Sequence, residues 1–106
     1  MTGPDLATAV RRLADGVAHW TPTAWAAAPD GARRADVLYA LVQRIADLDA
    51  EAESEPHRPV PRLDNDLALP DQLRVVAADL LATDPPEPVR AAASAAVREA
   101  RGTLLP

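Results

Sequence analysis

The larger apolar residues of the chain recur at spacings of three and four, the period of an amphipathic helix. In the first segment they are Leu6, Val10, Leu13, Val17 and Trp20. Pro4 suits the first position of a helix, where its missing N–H costs nothing, and Asp5 suits the positive end of the helix dipole. The pattern predicts a first helix from Pro4 to Trp20.

A short second helix is predicted directly after this segment. Thr21 is a favourable N-cap, Pro22 a favourable first residue, and Pro29-Asp30-Gly31 ends the helix. Trp20 and Trp25 then stand just before the cap and at the fourth helical position, which form a hydrophobic staple. We expect the two indoles to fix this corner.

The longest apolar stripe predicts a third helix that begins between Asp30 and Ala32 and ends at Ala50 or Ala52. Its apolar face comprises Val37, Leu38, Leu41, Val42, Ile45 and Leu48. Five carboxylates in residues 47–55 lie at the negative end of this helix, where each costs a few tenths of a kcal/mol. We therefore expect fraying after Leu48.

Residues 54–70 contain four prolines and form an unusually long connection for a small domain. We expect an ordered strap, tethered to the helices by Leu63, Leu67 and Leu69. A fourth helix is predicted from Pro70 to about Thr83. A fifth is predicted from about Pro88 to Arg101, with Gly102 as its left-handed cap and a shallow alanine-rich face.

The predicted fold is an all-α, small bundle of four main helices plus one short helix, forming a single domain over residues 1–106. The absence of cysteine excludes disulfides and thiolate zinc sites. No apolar run approaches the roughly 18 residues of a membrane span, and no basic segment precedes an apolar block at the N-terminus. We expect a cytoplasmic protein that does not enter membranes.

The charge pattern argues against a nucleic-acid partner. The formal net charge is −5, and the acidity is concentrated in residues 47–55. A nucleic-acid-binding domain is expected to present a basic field to the phosphates.

Candidate catalytic and metal-binding groups are sparse. The serines Ser54 and Ser94 lack a nearby histidine-centred triad pattern, and no glycine-rich loop is present. His19 with Asp15, His57 with Glu53 and Glu55, and the triplet 64–66 have partial metal-ligand spacing, but helix-surface pairs and an Asx turn explain them equally. We expect no catalytic residues, no metal and no cofactor.

A segment of about 20 residues resembles part of the DinB-like, mycothiol-dependent metal bundles. The matching residues are Trp25, Arg34, Asp36, Val37, Leu38 and Leu41. In that family a histidine of the segment binds the metal, whereas Ala40 occupies the matching position here. The resemblance implies a similar pair of helices without the metal-dependent activity.

The predicted function is a non-catalytic protein-interaction or regulatory domain, partnered by a second copy or by another protein. The 24 alanines leave a thin core, which association would complete. The candidate interaction surface lies on the fifth helix and the end of the fourth, and its named residues are Arg90, Ala93, Ser94, Val97, Arg98 and Arg101. The arginines form a ridge complementary to the acidic residues 47–55, within one molecule or between two.

An alternative hypothesis is a small-molecule-binding or metal-binding bundle. Its cavity would lie between the first three helices and be lined by His19, Trp20, Trp25 and Tyr39.

Overall fold

The computed structural model describes residues 5–106 and confirms the all-α bundle. Four main helices and one short helix form within these residues, without any strand, and a 3₁₀ turn at Asp66–Ala68 precedes the fourth helix. The helices are α1 (Leu6–Val17), α2 (Pro22–Ala26), α3 (Arg34–Ala52), α4 (Leu69–Ala82) and α5 (Glu87–Leu104). No helix among the described residues is both long and apolar enough to cross a bilayer.

The ends of α1 and α5 differ from the sequence prediction. Asp5 is the N-cap of α1, and its carboxylate accepts a hydrogen bond from the Thr8 N–H at 2.8 Å. The predicted role of Pro4 lies outside the described residues. At the other end of the chain, Gly102 lies within α5, which continues to Leu104 because no residue there has a positive φ that would end the helix.

Helix α3 continues past Leu48 to Ala52, one of its two predicted ends, and a hydrogen-bonded motif closes it. Ser54 adopts the left-handed conformation with φ 57°. Its N–H donates to the Glu51 carbonyl at 3.2 Å, and the Glu55 N–H donates to the Ala50 carbonyl at 2.8 Å. These two bonds form a Schellman motif, which satisfies the last carbonyls of the helix despite the acidic side chains.

The four long helices form a ring in the order α1, α4, α3, α5, because α1 and α3 each pack on both α4 and α5. Arg74, near the start of α4, binds Asp15 near the end of α1 at 2.8 Å, so these helices are antiparallel. Gly16 lies against Leu105, so the C-terminal ends of α1 and α5 meet and this pair is parallel.

Helices α3 and α4 are also parallel, since Asp49 and Asp79 face each other near their C-terminal ends. The chain must therefore return along α3, which is roughly 28 Å long, before α4 can begin. Residues 53–65, here called the strap, make this return. The long proline-rich connection is thus a crossover, as in bundles that contain parallel consecutive helices.

Polar side chains hold the strap against α3. The Gln43 Oε1 accepts from the Val60 N–H at 2.7 Å, and its Nε2 donates to the Arg58 carbonyl at 3.0 Å. The Tyr39 hydroxyl donates to the Val60 carbonyl. The leucine tether predicted from the sequence is wrong for Leu63 and Leu67, because each is 44% exposed. Irregular backbone needs partners for its N–H and C=O groups, and these side chains supply them.

The corner between α1 and α3 contains the predicted tryptophan pair. Thr21 caps α2 by accepting from the Ala24 N–H at 3.2 Å, and Pro22 is its first residue. The rings of Trp20 and Trp25 lie 4.9 Å apart in an edge-to-face arrangement, and Trp25 is fully buried. The predicted staple is therefore confirmed, and it supplies bulk to an otherwise aliphatic core.

Candidate functional site

A groove of about 680 Å³ runs between the parallel helices α1 and α5. It follows α5 from Glu87 to Arg101, a length of roughly 20 Å at 1.5 Å per residue. Leu6 and Val97 are buried beneath it and form an apolar floor. The polar residues that line it are Asp5, Arg12, Glu87, Arg90, Ser94, Arg98 and Arg101.

Helical periodicity places the arginines along this groove. Arg90, Ser94 and Arg98 are four residues apart on α5, and Arg101 follows three residues later, so all four share one side of the helix. Arg12 faces them from α1. The two helices thus line a single channel with guanidinium groups.

The arginines of the groove differ in what they bind. Arg90 is fixed by the turn between α4 and α5, where it donates to the Pro85 carbonyl at 3.1 Å and to the Asp84 carboxylate at 2.9 Å. Within residues 5–106, no carboxylate lies within 4.0 Å of the guanidinium nitrogens of Arg12, Arg98 or Arg101. This half of the groove therefore presents positive charge to solvent.

The opposite end of the groove is acidic. Asp5 and Glu87 lie there, at the N-terminal ends of α1 and α5. The hydrogen bond from the Thr8 N–H lowers the pKa of Asp5 below its ordinary value, so its carboxylate stays charged to lower pH. A ligand in this groove would meet negative charge at one end and positive charge at the other.

Five of the six residues of the predicted interaction surface line the groove, but two have a different role from the one expected. Ala93 and Val97 are 0% and 1% exposed and pack in the core of this chain, so neither forms an open contact surface. Ala93 does not line the groove. Arg12 was missed by the sequence reasoning, because the pattern of α1 does not reveal which helix packs beside it.

The four residues of the alternative pocket make separate contacts. Trp20 and Trp25 pack on each other, Tyr39 contacts Arg62 of the strap at 4.7 Å, and His19 is exposed beyond α1. None of these four residues lines any of the four depressions described for this fold. The indole pair and the Tyr39–Arg62 contact are thus two separate packed contacts.

The partial metal-ligand patterns also resolve into ordinary contacts. His57 lies 3.7 Å from Asp47 and 3.2 Å from Glu51, rather than beside Glu53 and Glu55. The Asn65 side chain accepts from the Leu67 N–H at 3.0 Å, which is an Asx turn. Within the described part of the chain, no three histidine, aspartate or glutamate side chains converge as metal ligands would.

A second polar depression lies at the C-terminal ends of α3 and α4. Its lining includes Asp49, Glu53, Asp79 and Thr83. Burial, followed by the charge of Asp79, raises the pKa of Asp49. The negative ends of two parallel helix dipoles meet here, which adds to the negative potential. We call Asp49, Glu53 and Asp79 the acidic corner.

Comparison with known protein families, curated proteins and solved structures finds no match. The resemblance to DinB-like bundles therefore depends on the six residues between Trp25 and Leu41 alone. Ala40, at the position of the metal histidine, is exposed on α3.

Proposed function

We propose that this protein is a non-catalytic interaction domain whose α1–α5 groove binds an acidic segment of a partner protein. The observation that carries the proposal is the set of three arginines, Arg12, Arg98 and Arg101, which lie above an apolar floor with no carboxylate partner in residues 5–106. Arginine binds carboxylates through paired N–H groups in a fixed plane, and it is enriched at the centres of protein interfaces.

The shape of the groove supports a helical or extended peptide as its ligand. A channel of roughly 20 Å between two parallel helices accommodates about four turns of a third helix. Leu6 and Val97 beneath the arginines suit a segment with apolar residues on one side and carboxylates on the other.

The charge of the whole molecule favours a protein over a nucleic acid. The net charge is −5 and the isoelectric point is about 4.8, so the overall field repels a ligand that is negatively charged along its whole length, as a nucleic acid is. Asp5 and Glu87 add repulsion at one end of the groove. The groove is basic at one end and acidic at the other. A short segment that carries carboxylates near one end and an uncharged or basic group at the other matches this arrangement.

A non-catalytic role is supported by the chemistry of the lining. Among residues 5–106, Ser94 is the one hydroxyl-bearing residue that lines the groove, and neither His19 nor His57 lines it. A serine nucleophile needs a base to take its proton, and arginine does not act as one at neutral pH.

The test is fluorescence anisotropy with a labelled amphipathic peptide of glutamate and leucine, compared with the same peptide carrying glutamine in place of glutamate. We expect the acidic peptide alone to bind, and the double variant Arg98→Ala, Arg101→Ala to bind at least about tenfold more weakly, which corresponds to about 1.4 kcal/mol. Added salt should weaken binding.

The matched control is Arg44→Ala, Arg58→Ala, which removes the same charge from exposed positions outside the groove. It should leave peptide affinity within about twofold, because distant exposed charges are screened. Equal losses in both variants, or preferential binding of a single-stranded oligonucleotide, would overturn the proposal.

A further inference from the structure

The ring order of the helices places opposite charges on opposite faces of the bundle. In the order α1, α4, α3, α5, the α1–α5 side lies across the core from the α3–α4 side. The first carries the arginine-lined groove, and the second carries the acidic corner. The arginines of the groove and the carboxylates of the acidic corner therefore lie on different sides of the bundle.

The acidic corner also lacks a cationic partner within 4.0 Å among residues 5–106. The nearby carboxylates Asp47 and Glu51 are engaged by His57, and Glu51 also lies 3.8 Å from Arg44. Over residues 5–106, by contrast, no arginine or histidine nitrogen lies within 4.0 Å of a carboxylate oxygen of the acidic corner. Each copy thus presents one unneutralised basic face and one unneutralised acidic face.

We infer that the acidic segment received by the groove is the acidic corner of a second copy of this chain, so that molecules associate head to tail. The inference rests on the proposed function of the groove and names its partner. The acidic corner is also ordered before it binds, because Glu53 and Asp79 lie near the ends of two packed helices. Binding its carboxylates therefore carries no entropic cost of folding a disordered segment.

The geometry favours a directional assembly over a two-fold dimer. A two-fold axis repeats the same contact patch on both copies, so one dimer cannot join groove to corner twice when these lie on opposite faces. A head-to-tail contact leaves a free groove at one end and a free corner at the other, so further copies can add. Assembly should therefore continue beyond the dimer, or close into a ring.

The test uses two variants that each remove one face. One is Arg98→Ala, Arg101→Ala, which lacks the groove charges. The other is Glu53→Ala, Asp79→Ala, which lacks the corner charges. All four residues are exposed, and far-UV circular dichroism with a thermal melt confirms that each variant folds.

Sedimentation velocity at low salt provides the readout, at subunit concentrations up to about 1 mM, enough to populate an association with a sub-millimolar Kd. The wild-type protein should form species larger than dimers, and each variant alone should be a monomer. An equimolar mixture of the two variants should stop at a dimer. One variant supplies the only intact groove and the other the only intact corner, so a dimer has no free site for a third copy. High salt should dissociate the wild-type assembly.

Two controls remove the same charges elsewhere. Arg33→Ala, Arg62→Ala and Asp30→Ala, Asp64→Ala change exposed positions outside both faces and should assemble as the wild type does. A wild-type protein that stays monomeric, or that stops at a symmetric dimer, overturns head-to-tail association. If such a protein still binds the acidic peptide through Arg98 and Arg101, the proposed function of the groove stands without this partner.

Discussion

Helices α4 and α5 hold equivalent places in the bundle, since each packs on both α1 and α3, yet they are built differently. The buried residues of α4 are Leu69, Pro70, Leu73, Ala77 and Leu80. Those of α5 are Ala93, Val97, Ala100 and Leu104. One helix fills its place mainly with large side chains, whereas the other buries mainly small ones.

This difference changes which substitutions each helix tolerates. Leucines contribute burial of apolar area, so α4 should be sensitive to the removal of atoms. Alanines favour the helical state but bury little area, so α5 depends on close fit and should be sensitive to added atoms.

Leu73→Ala on α4 should cost about 2–5 kcal/mol of unfolding free energy, because Leu73 is fully buried and its loss leaves a cavity. Urea denaturation measures the change. The control is Val75→Ala on the same helix, where 59% of the residue is exposed and the change should stay within about 0.5 kcal/mol. Similar losses at both positions would mean that α4 is not docked as described.

Ala93→Leu should destabilise α5 by about 1–3 kcal/mol, because the added atoms overpack a position with no exposed surface. Ala95→Leu makes the same change two residues away at an exposed position and should be nearly neutral. The comparison again uses urea denaturation. A stabilising effect of Ala93→Leu would show space beneath α5 and would remove the contrast with α4.

Much of this contrast between α4 and α5 was predictable from the sequence. The spacing of apolar residues identifies the buried face of a helix, and the residue types give the size of the side chains on that face. Leu73 and Leu80 at helical spacing predicted a buried face on α4, and Ala93 and Ala100 predicted a shallow one on α5. The arginines of α5 were also found, since Arg90, Arg98 and Arg101 recur on one side.

The identity of the neighbours was not predictable. The spacing of apolar residues predicts that a helix face is buried, but it does not predict which helix packs against that face. The position of Arg12 in the groove and the proximity of Asp49 to Asp79 therefore could not be predicted. The strap was misjudged for a related reason. Leu63 and Leu67 looked like tethers because they are apolar, whereas the actual contacts come from Gln43, a single amide with no sequence signature.

Gln43→Ala should loosen the strap at a cost of about 1–2 kcal/mol, because it removes the acceptor of the Val60 N–H and the donor to the Arg58 carbonyl. The result bears on the comparison of α4 with α5, because the chain enters α4 through the long strap and enters α5 through a short turn. Hydrogen exchange should accelerate at Val60 and leave α3 protected.

The matched change is Gln72→Ala, which removes one hydrogen bond, to the Pro61 carbonyl at 3.1 Å. It should have a smaller effect on exchange in the strap than Gln43→Ala, because it frees a carbonyl that water can solvate. Unchanged exchange at Val60 in the Gln43 variant would contradict the role of this amide.

Gly16→Ala tests the close approach at the C-terminal ends of α1 and α5. A Cβ at Gly16 would lie 2.7 Å from the Leu105 Cδ1, so this leucine must move. Alanine also raises helix propensity by up to about 1 kcal/mol. We expect Gly16→Ala to be stabilising by about that amount in a Leu105→Ala background and by less in the wild type. A double-mutant cycle by thermal melting measures the difference. Equal effects in both backgrounds would show that the two residues do not touch.

The smallest effect is expected between the parallel helices α3 and α4, at Asp49. The pKa of Asp49 is raised, so the folded state holds the Asp49 proton more tightly than the unfolded chain does. For an acid this sign means that stability falls as pH rises from the ordinary value of 3.8 through the higher folded value. Below that window the carboxyl is neutral in both states. Above it, burial and the charge of Asp79 disfavour the carboxylate.

Asp49→Asn should therefore leave stability unchanged at about pH 3 and increase it at about pH 7, by less than about 1 kcal/mol because the pair is partly solvated. Asp64→Asn on the exposed strap controls for the loss of one charge and should show no such trend. Urea denaturation across this pH range measures both. A decrease in stability at neutral pH would instead show that the Asp49 carboxylate is held by a favourable partner, and that the meeting of α3 and α4 is not repulsive.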